Sequence, residues 1–164
     1  QVIPGKEYGV MHRQNRSENE VVVVVKPWSD EKKPVLKEQY RKAIEDYIEP
    51  YRLINTKVTV ESARYAGICV HGKIALEQDS PKTRKAVLER ISRELSYTER
   101  KHPFGTVISY GQLFTALENT EGVKKVLELN LERTGNAARK NDRGDVLLDA
   151  DALGILEETD LEFC

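Results

Sequence analysis

The segment His102–Leu131 reads HPFGTVISYGQLFTALENTEGVKKVLELNL. Gly105 marks a turn, and Val107 and Ile108 follow as a short extended piece. Tyr110, Leu113, Phe114 and Leu117 recur at three- and four-residue spacing, which makes one apolar stripe on a compact helix. Gly122 is a second turn glycine. Leu127, Leu129 and Leu131 then alternate with Glu128, Asn130 and Glu132, the signature of a strand with one covered face. The same segment gathers His102, Ser109, Tyr110, Gly105 and Gly111, so it also reads as a possible active site. Spacing argues against that. A nucleophile elbow needs glycine two residues on either side of the serine, and Val107 stands upstream of Ser109. No lysine follows Gly111 as a phosphate-binding loop requires. Ser109 with Gln112 three residues later fits a Ser-x-x-Gln capping box, with the serine oxygen accepting a backbone N–H of the first helical turn.

Outward from this segment, the chain alternates strands and helices. Val21–Val25 is an unbroken run of β-branched residues. Such a run favours sheet, and its lack of alternation predicts a central strand covered on both faces. Pro27 ends it. Ser29 or Asp30 opens a loop, and Pro34 suits the first turn of a helix whose stripe is Leu36, Tyr40, Ala43, Ile44, Tyr47 and Ile48, stopped by Pro50. Val58 and Val60 mark a second strand. Ile68–Glu77 is a third and longer one, with a bulge expected near Gly72. The second and third strands lie close enough in sequence to form a hairpin. Ser80-Pro81 caps a second long helix with the stripe Val87, Leu88, Ile91 and Leu95. Its outer face, rich in Lys, Arg and Glu, reads as solvated.

This order, β-α-β-β-α-β with an extra short helix, predicts an α+β fold: a split βαβ, ferredoxin-like sandwich with the first and third strands in the middle of one sheet. Residues 1–20 read as a polar extension continuing from an upstream domain, residues 21–133 as the ferredoxin-like domain, and residues 134–164 as a loop and a C-terminal hairpin. That hairpin would join Val146–Leu148 to Leu161–Phe163 across Asp149–Asp160, after a polar loop from Thr134 to Asn141.

Composition narrows the function classes. Charge is balanced, with 26 basic and 27 acidic residues, so no global field draws in nucleic acid or an acidic membrane. The first strand is all valine and the third offers no aromatic on which a base could stack, which argues against RNA binding. The longest apolar run is far too short to span a bilayer, and no signal peptide is visible. Cys69 lies in a predicted strand and Cys164 ends the sequence, a pattern that fits a reducing compartment without a structural disulfide. His12, His71 and His102 are far apart and match no metal-ligand spacing. Arg143-Gly144-Asp145 reads as a turn into a strand, and Asn15-Arg16-Ser17 as a loop. The reading therefore assigns no catalytic residue, no cofactor and no metal.

Several pieces resemble baseplate J-like proteins, the wedge components of contractile phage tails and related contractile injection systems, in their C-terminal region. The first is Gly105–Leu113, in the pattern G-x-V-I-S-Y-G-x-L, followed by Glu121-Gly122-Val123 leading into the alternating strand. The second is Tyr51-Arg52-Leu53 with Lys57–Val60, where Leu53 and Asn55 stand in place of the usual proline and glycine. The third is VVVVVKP with the helix after it. The resemblance spans about residues 20–163. It implies a structural protein without enzymatic activity that assembles in the cytoplasm and becomes part of a virion tail or injection particle. Its partners would be other baseplate or wedge proteins in a multi-subunit ring, with no nucleic acid and no membrane insertion. Affinity in such an assembly comes from apolar anchors with charges at the rim, and the candidate anchors are Trp28, Phe104, Tyr110 and Phe114. Two other readings compete. One is a ferredoxin-like domain that binds a small regulatory ligand; the other is a hydrolase using Ser109 or His102.

Overall fold

The computed structural model describes residues 8–11, 20–95 and 104–164. It is α+β, with three α-helices and three short sheets among those residues. The chain divides into two compact units, Gln1–Arg64 and Tyr65–Cys164. His12, Asn15-Arg16-Ser17 and His102 lie outside the described residues.

The first unit is built on the valine run. Strand β2 (Glu20–Val25) is the middle of a three-stranded sheet. It pairs antiparallel with β1 (Tyr8–Met11) and parallel with β3 (Lys57–Ser62). Val22, Val23, Val24 and Val25 are all buried, so successive residues on opposite faces are covered, as the missing alternation predicts. Helix α1 (Glu38–Ile48) makes the crossover between the parallel strands and runs into a 3₁₀ turn, Glu49–Tyr51, that contains Pro50. Val23, Val25 and Val60 form the core of this unit, with Leu36, Ile44, Ile48 and Val58 packed partly against it. β3 is an edge strand. The Glu45 carboxylate of α1 accepts the Val60 N–H at 3.2 Å and so covers part of that edge.

The second unit carries the larger core. Strand β4 (Arg64–Leu76), whose first residue belongs to the first unit, is the middle of a sheet between β6 (Val123–Thr134) and β9 (Ala152–Phe163). β6 is antiparallel to β4, with register shifts at Lys73/Ile74 and Ala75/Leu76, just past the expected bulge. The slip moves Val126 into the core and leaves Leu127 about half exposed, which displaces one residue of the alternation read from sequence. β9 runs parallel to β4: Cys164 donates to the Ile74 carbonyl and accepts the Leu76 N–H. Helix α2 (Pro81–Leu95) buries Val87, Ile91 and Leu95 on the inner face, and Ser80 caps it by accepting the Thr83 N–H at 3.1 Å. Helix α3 (Tyr110–Glu118) adds Leu113 and Leu117 to the same cluster. A small sheet of β5 (Val107–Ile108), β8 (Val146–Leu148) and β7 (Ala138–Lys140) closes it. Burying each large core side chain, Ile68 or Leu153 for example, contributes about 1.5–3 kcal/mol.

The single ferredoxin-like sheet is not what forms. The strands expected side by side in its middle lie in different sheets. The expected hairpin of the second and third strands is absent because Ala63 alone separates β3 from β4. The tightest common hairpin needs two turn residues, so the chain runs on from one unit into the next. The expected C-terminal hairpin is also replaced. Asp149–Asp151 is a tight turn closed by Ala152 N–H to Asp149 O, and the strand that follows pairs with β4 rather than β8. Residues 152–156, read as a connection, are apolar and begin that strand. The polar loop after Thr134 contains β7, held by the burial of Ala137 and Ala138. Within the stretch read as an extension, Tyr8–Met11 is a strand.

Candidate interaction surfaces

The segment that raised the question of catalysis is a braced helix start. Ser109 is the N-cap of α3, and its hydroxyl accepts the Gln112 N–H at 3.4 Å. The Asp145 carboxylate accepts the Tyr110 N–H at 2.9 Å and the Asn141 side-chain amide at 3.0 Å. The Asn141 side-chain oxygen in turn accepts the N–H groups of Arg143 and Asp145. Gly144, at φ +85°, lets the turn close with its backbone against the Tyr110 ring. The Arg-Gly-Asp tripeptide is thus a turn whose aspartate caps a helix from thirty-five residues away in sequence. Hydrogen bonds to the charged carboxylate, first from Asn141 and then from Tyr110, hold the Asp145 pKa below its ordinary value. Ser109 has the geometry of a cap rather than of an activated nucleophile. Among the described residues, no group of three His, Cys, Asp or Glu side chains could hold a metal ion.

The four candidate anchors separate. Tyr110 and Phe114 lie together on α3, with ring centroids 6.0 Å apart, half-buried against the main cluster. Phe104 is half-buried in the turn before β5. Trp28 belongs to the first unit and is 74% exposed. That unit carries further exposed apolar side chains the sequence reading placed in its helix stripe or passed over: Tyr40, Tyr47, Tyr51, Leu53 and Ile54. Tyr40 and Tyr47 fall at i and i+7, one line along α1, beside rather than on the face formed by Ile44 and Ile48, and Tyr51 follows in the 3₁₀ turn. Tyr47 and Tyr51 touch, at 5.9 Å between centroids. Periodicity puts Tyr40 and Tyr47 in the α1 stripe without fixing how far round the helix the sheet reaches, so their exposure follows only from the packing.

The outward face of the β6-β4-β9 sheet is polar and acidic. Cys69, His71 and Lys73 lie along its middle strand, across from Glu132, Asn130 and Glu128. On the other flank, Lys73 pairs with Glu162 at 3.2 Å and His71 stands 3.8 Å from Asp160. Burial, then the charges of Glu158, Glu157 and Glu132, push the Cys69 thiol up, so it is a poor nucleophile at neutral pH. An open depression of about 620 Å³ here is lined by His71, Lys73, Tyr110, Asn130, Asp160 and Glu162, among others.

Neither a protein-family model nor a curated protein matches the chain. Solved structures do. One is a chain in the cryo-EM structure of the anti-feeding prophage (AFP) baseplate, 6-fold symmetrised, which matches with a TM-score of 0.65 at 14% identity over 85% of this chain. At that identity the likeness is one of fold. The chain spans 29% of the length of that protein.

Proposed function

We propose that the protein is a structural component of the baseplate of a contractile injection system and acts by assembling with other baseplate proteins. The observation that carries this reading is the shared fold with a chain of the anti-feeding prophage baseplate over most of the present chain. Exposed aromatic side chains on the first unit support it, since clustered apolar groups at a surface lose water when a partner covers them. We read it more narrowly as a baseplate J-like wedge subunit, on the strength of Gly105–Leu113 and the turn into β6, and as a protein without catalytic activity. Its place would then be the tail or injection particle. No described helix is long and apolar enough to cross a membrane. The test is genetic and structural: delete the gene, then image particles from the deletion strain. Sheaths and tubes lacking an organised baseplate are expected. Complete, contractile particles in the deletion strain refute the proposal.

A further inference from the structure

Among the described residues, strand β9 presents an open edge. It is the outermost strand of its sheet, and β4 is its one neighbour among the described residues. Cys164 directs both its backbone groups at β4. In a regular strand alternate residues do the same, so Glu162 and Asp160 also face β4, while the N–H and C=O groups of Thr159, Leu161 and Phe163 point outward. The pairs Lys73–Glu162 and His71–Asp160 keep the same step, so no slip interrupts this pattern. Glu157–Phe163 contains neither proline nor lysine, and its charges are all carboxylates, which oppose pairing with a like-charged strand and leave the edge open to one of opposite charge. The contrast is β3, where Glu45 occupies an edge N–H.

The chemistry along the edge alternates. Glu158, Asp160 and Glu162 are exposed on the outward face, whereas Thr159, Leu161 and Phe163 are half-buried along the core. Leu161 and Phe163 pack against the main cluster, and the Arg84 guanidinium covers the Phe163 ring at 5.2 Å. A second copy of β9 is a poor occupant, because edge-to-edge pairing sets one carboxylate row against the other. A strand of opposite charge is a good one. We propose that the β9 edge is a strand-addition site for an extended segment of a partner protein in which basic and apolar residues alternate. The segment's backbone pairs with Thr159, Leu161 and Phe163. Its lysines or arginines stand beside Glu158, Asp160 and Glu162, and its apolar side chains extend the wall of Leu161 and Phe163. The site depends on the edge and its charges, and it stands or falls independently of the baseplate assignment.

A short peptide of alternating lysine and valine is the probe, titrated into the full chain and followed by fluorescence anisotropy and amide hydrogen exchange. Saturable binding is expected, with slowed exchange at the Leu161 and Phe163 amides and no change at those of Asp160 and Glu162, which already face β4. A peptide of the same composition with its lysines and valines in two blocks should bind about tenfold more weakly or worse, because it cannot match three successive cross-strand pairs. The E158K/D160K/E162K variant should reverse the preference toward alternating glutamate and valine. Leu161→Pro, if circular dichroism shows it folded, should abolish binding. Failure to bind, equal binding of the block peptide, or binding without protection at Leu161 and Phe163 overturns the proposal.

Discussion

At the scale of single residues, the start of α3 depends on two caps with different chemistry. Ser109 is local, three residues from the N–H it accepts, and Ser109→Ala should cost about 1 kcal/mol in urea denaturation without altering the fold. Asp145 acts from across the chain and only when ionised. Its folded-state pKa is lowered, so its contribution is present in full above its unfolded pKa and is lost as pH falls through the folded value. The stability difference between the native protein and Asp145→Asn should therefore be flat near neutral pH. It should shrink once the pH drops below the ordinary carboxyl value of about 3.9. A difference that stays constant into strong acid would show that the charge on Asp145 is not what braces the helix. Gly122 combines a local and a distant constraint. At φ +84°, with a Cβ there falling 2.7 Å from Thr83 Cγ2, it admits no side chain without displacement.

At the scale of elements, helix stripes were easier to find than to bound. The α2 stripe contains Val87, Leu88, Ile91 and Leu95 by spacing, yet Val87, Ile91 and Leu95 are buried and Leu88 is 44% exposed. Ile91→Ala should cost about 2–5 kcal/mol, because it removes a buried side chain and leaves a cavity. Leu88→Ala should stay within about 0.5 kcal/mol, as a surface substitution does. Thermal or urea denaturation of the two variants separates these outcomes, and equal losses would contradict the packing described. The same logic applies to α1, whose tyrosines lie beside the sheet-facing side, so Tyr47→Ser should leave stability nearly unchanged. Exposed ion pairs at the start of α2, Arg84–Asp79 and Lys85–Glu89, add little to it.

At the scale of the whole molecule, two apolar clusters matter more than one continuous sheet. Val60 belongs to the smaller cluster and Ile68 and Leu131 to the larger. Val60→Asp buries an unpaired charge in the first. It should therefore remove amide protection across β2 and β3 while protection at Ile68, Val70 and Leu131 persists. Loss of protection in both units together would show that they fold as a single cooperative body. The balanced charge of the chain gives no long-range pull toward a polyanion. The exposed features are local: tyrosines on one unit, and an acidic row along β9 on the other.

The features legible in the residues were those set within a turn or two of chain. The covered valine strand, the Ser80 and Ser109 caps, the stop at Pro50 and the turn glycines Gly105 and Gly122 all follow from backbone sterics and periodicity. The α+β class followed from the alternation of those elements. Strand partners did not, because a strand carries the same pattern whichever neighbour it pairs with. That β3 returns to β2 while β4 goes on to β6 and β9 depends on the single residue Ala63 and on contacts across most of the chain. The same holds for the candidate surface. Asp145 reaches Tyr110, and β4 is the one strand neighbour of β9 among the described residues, because packing brings distant segments together.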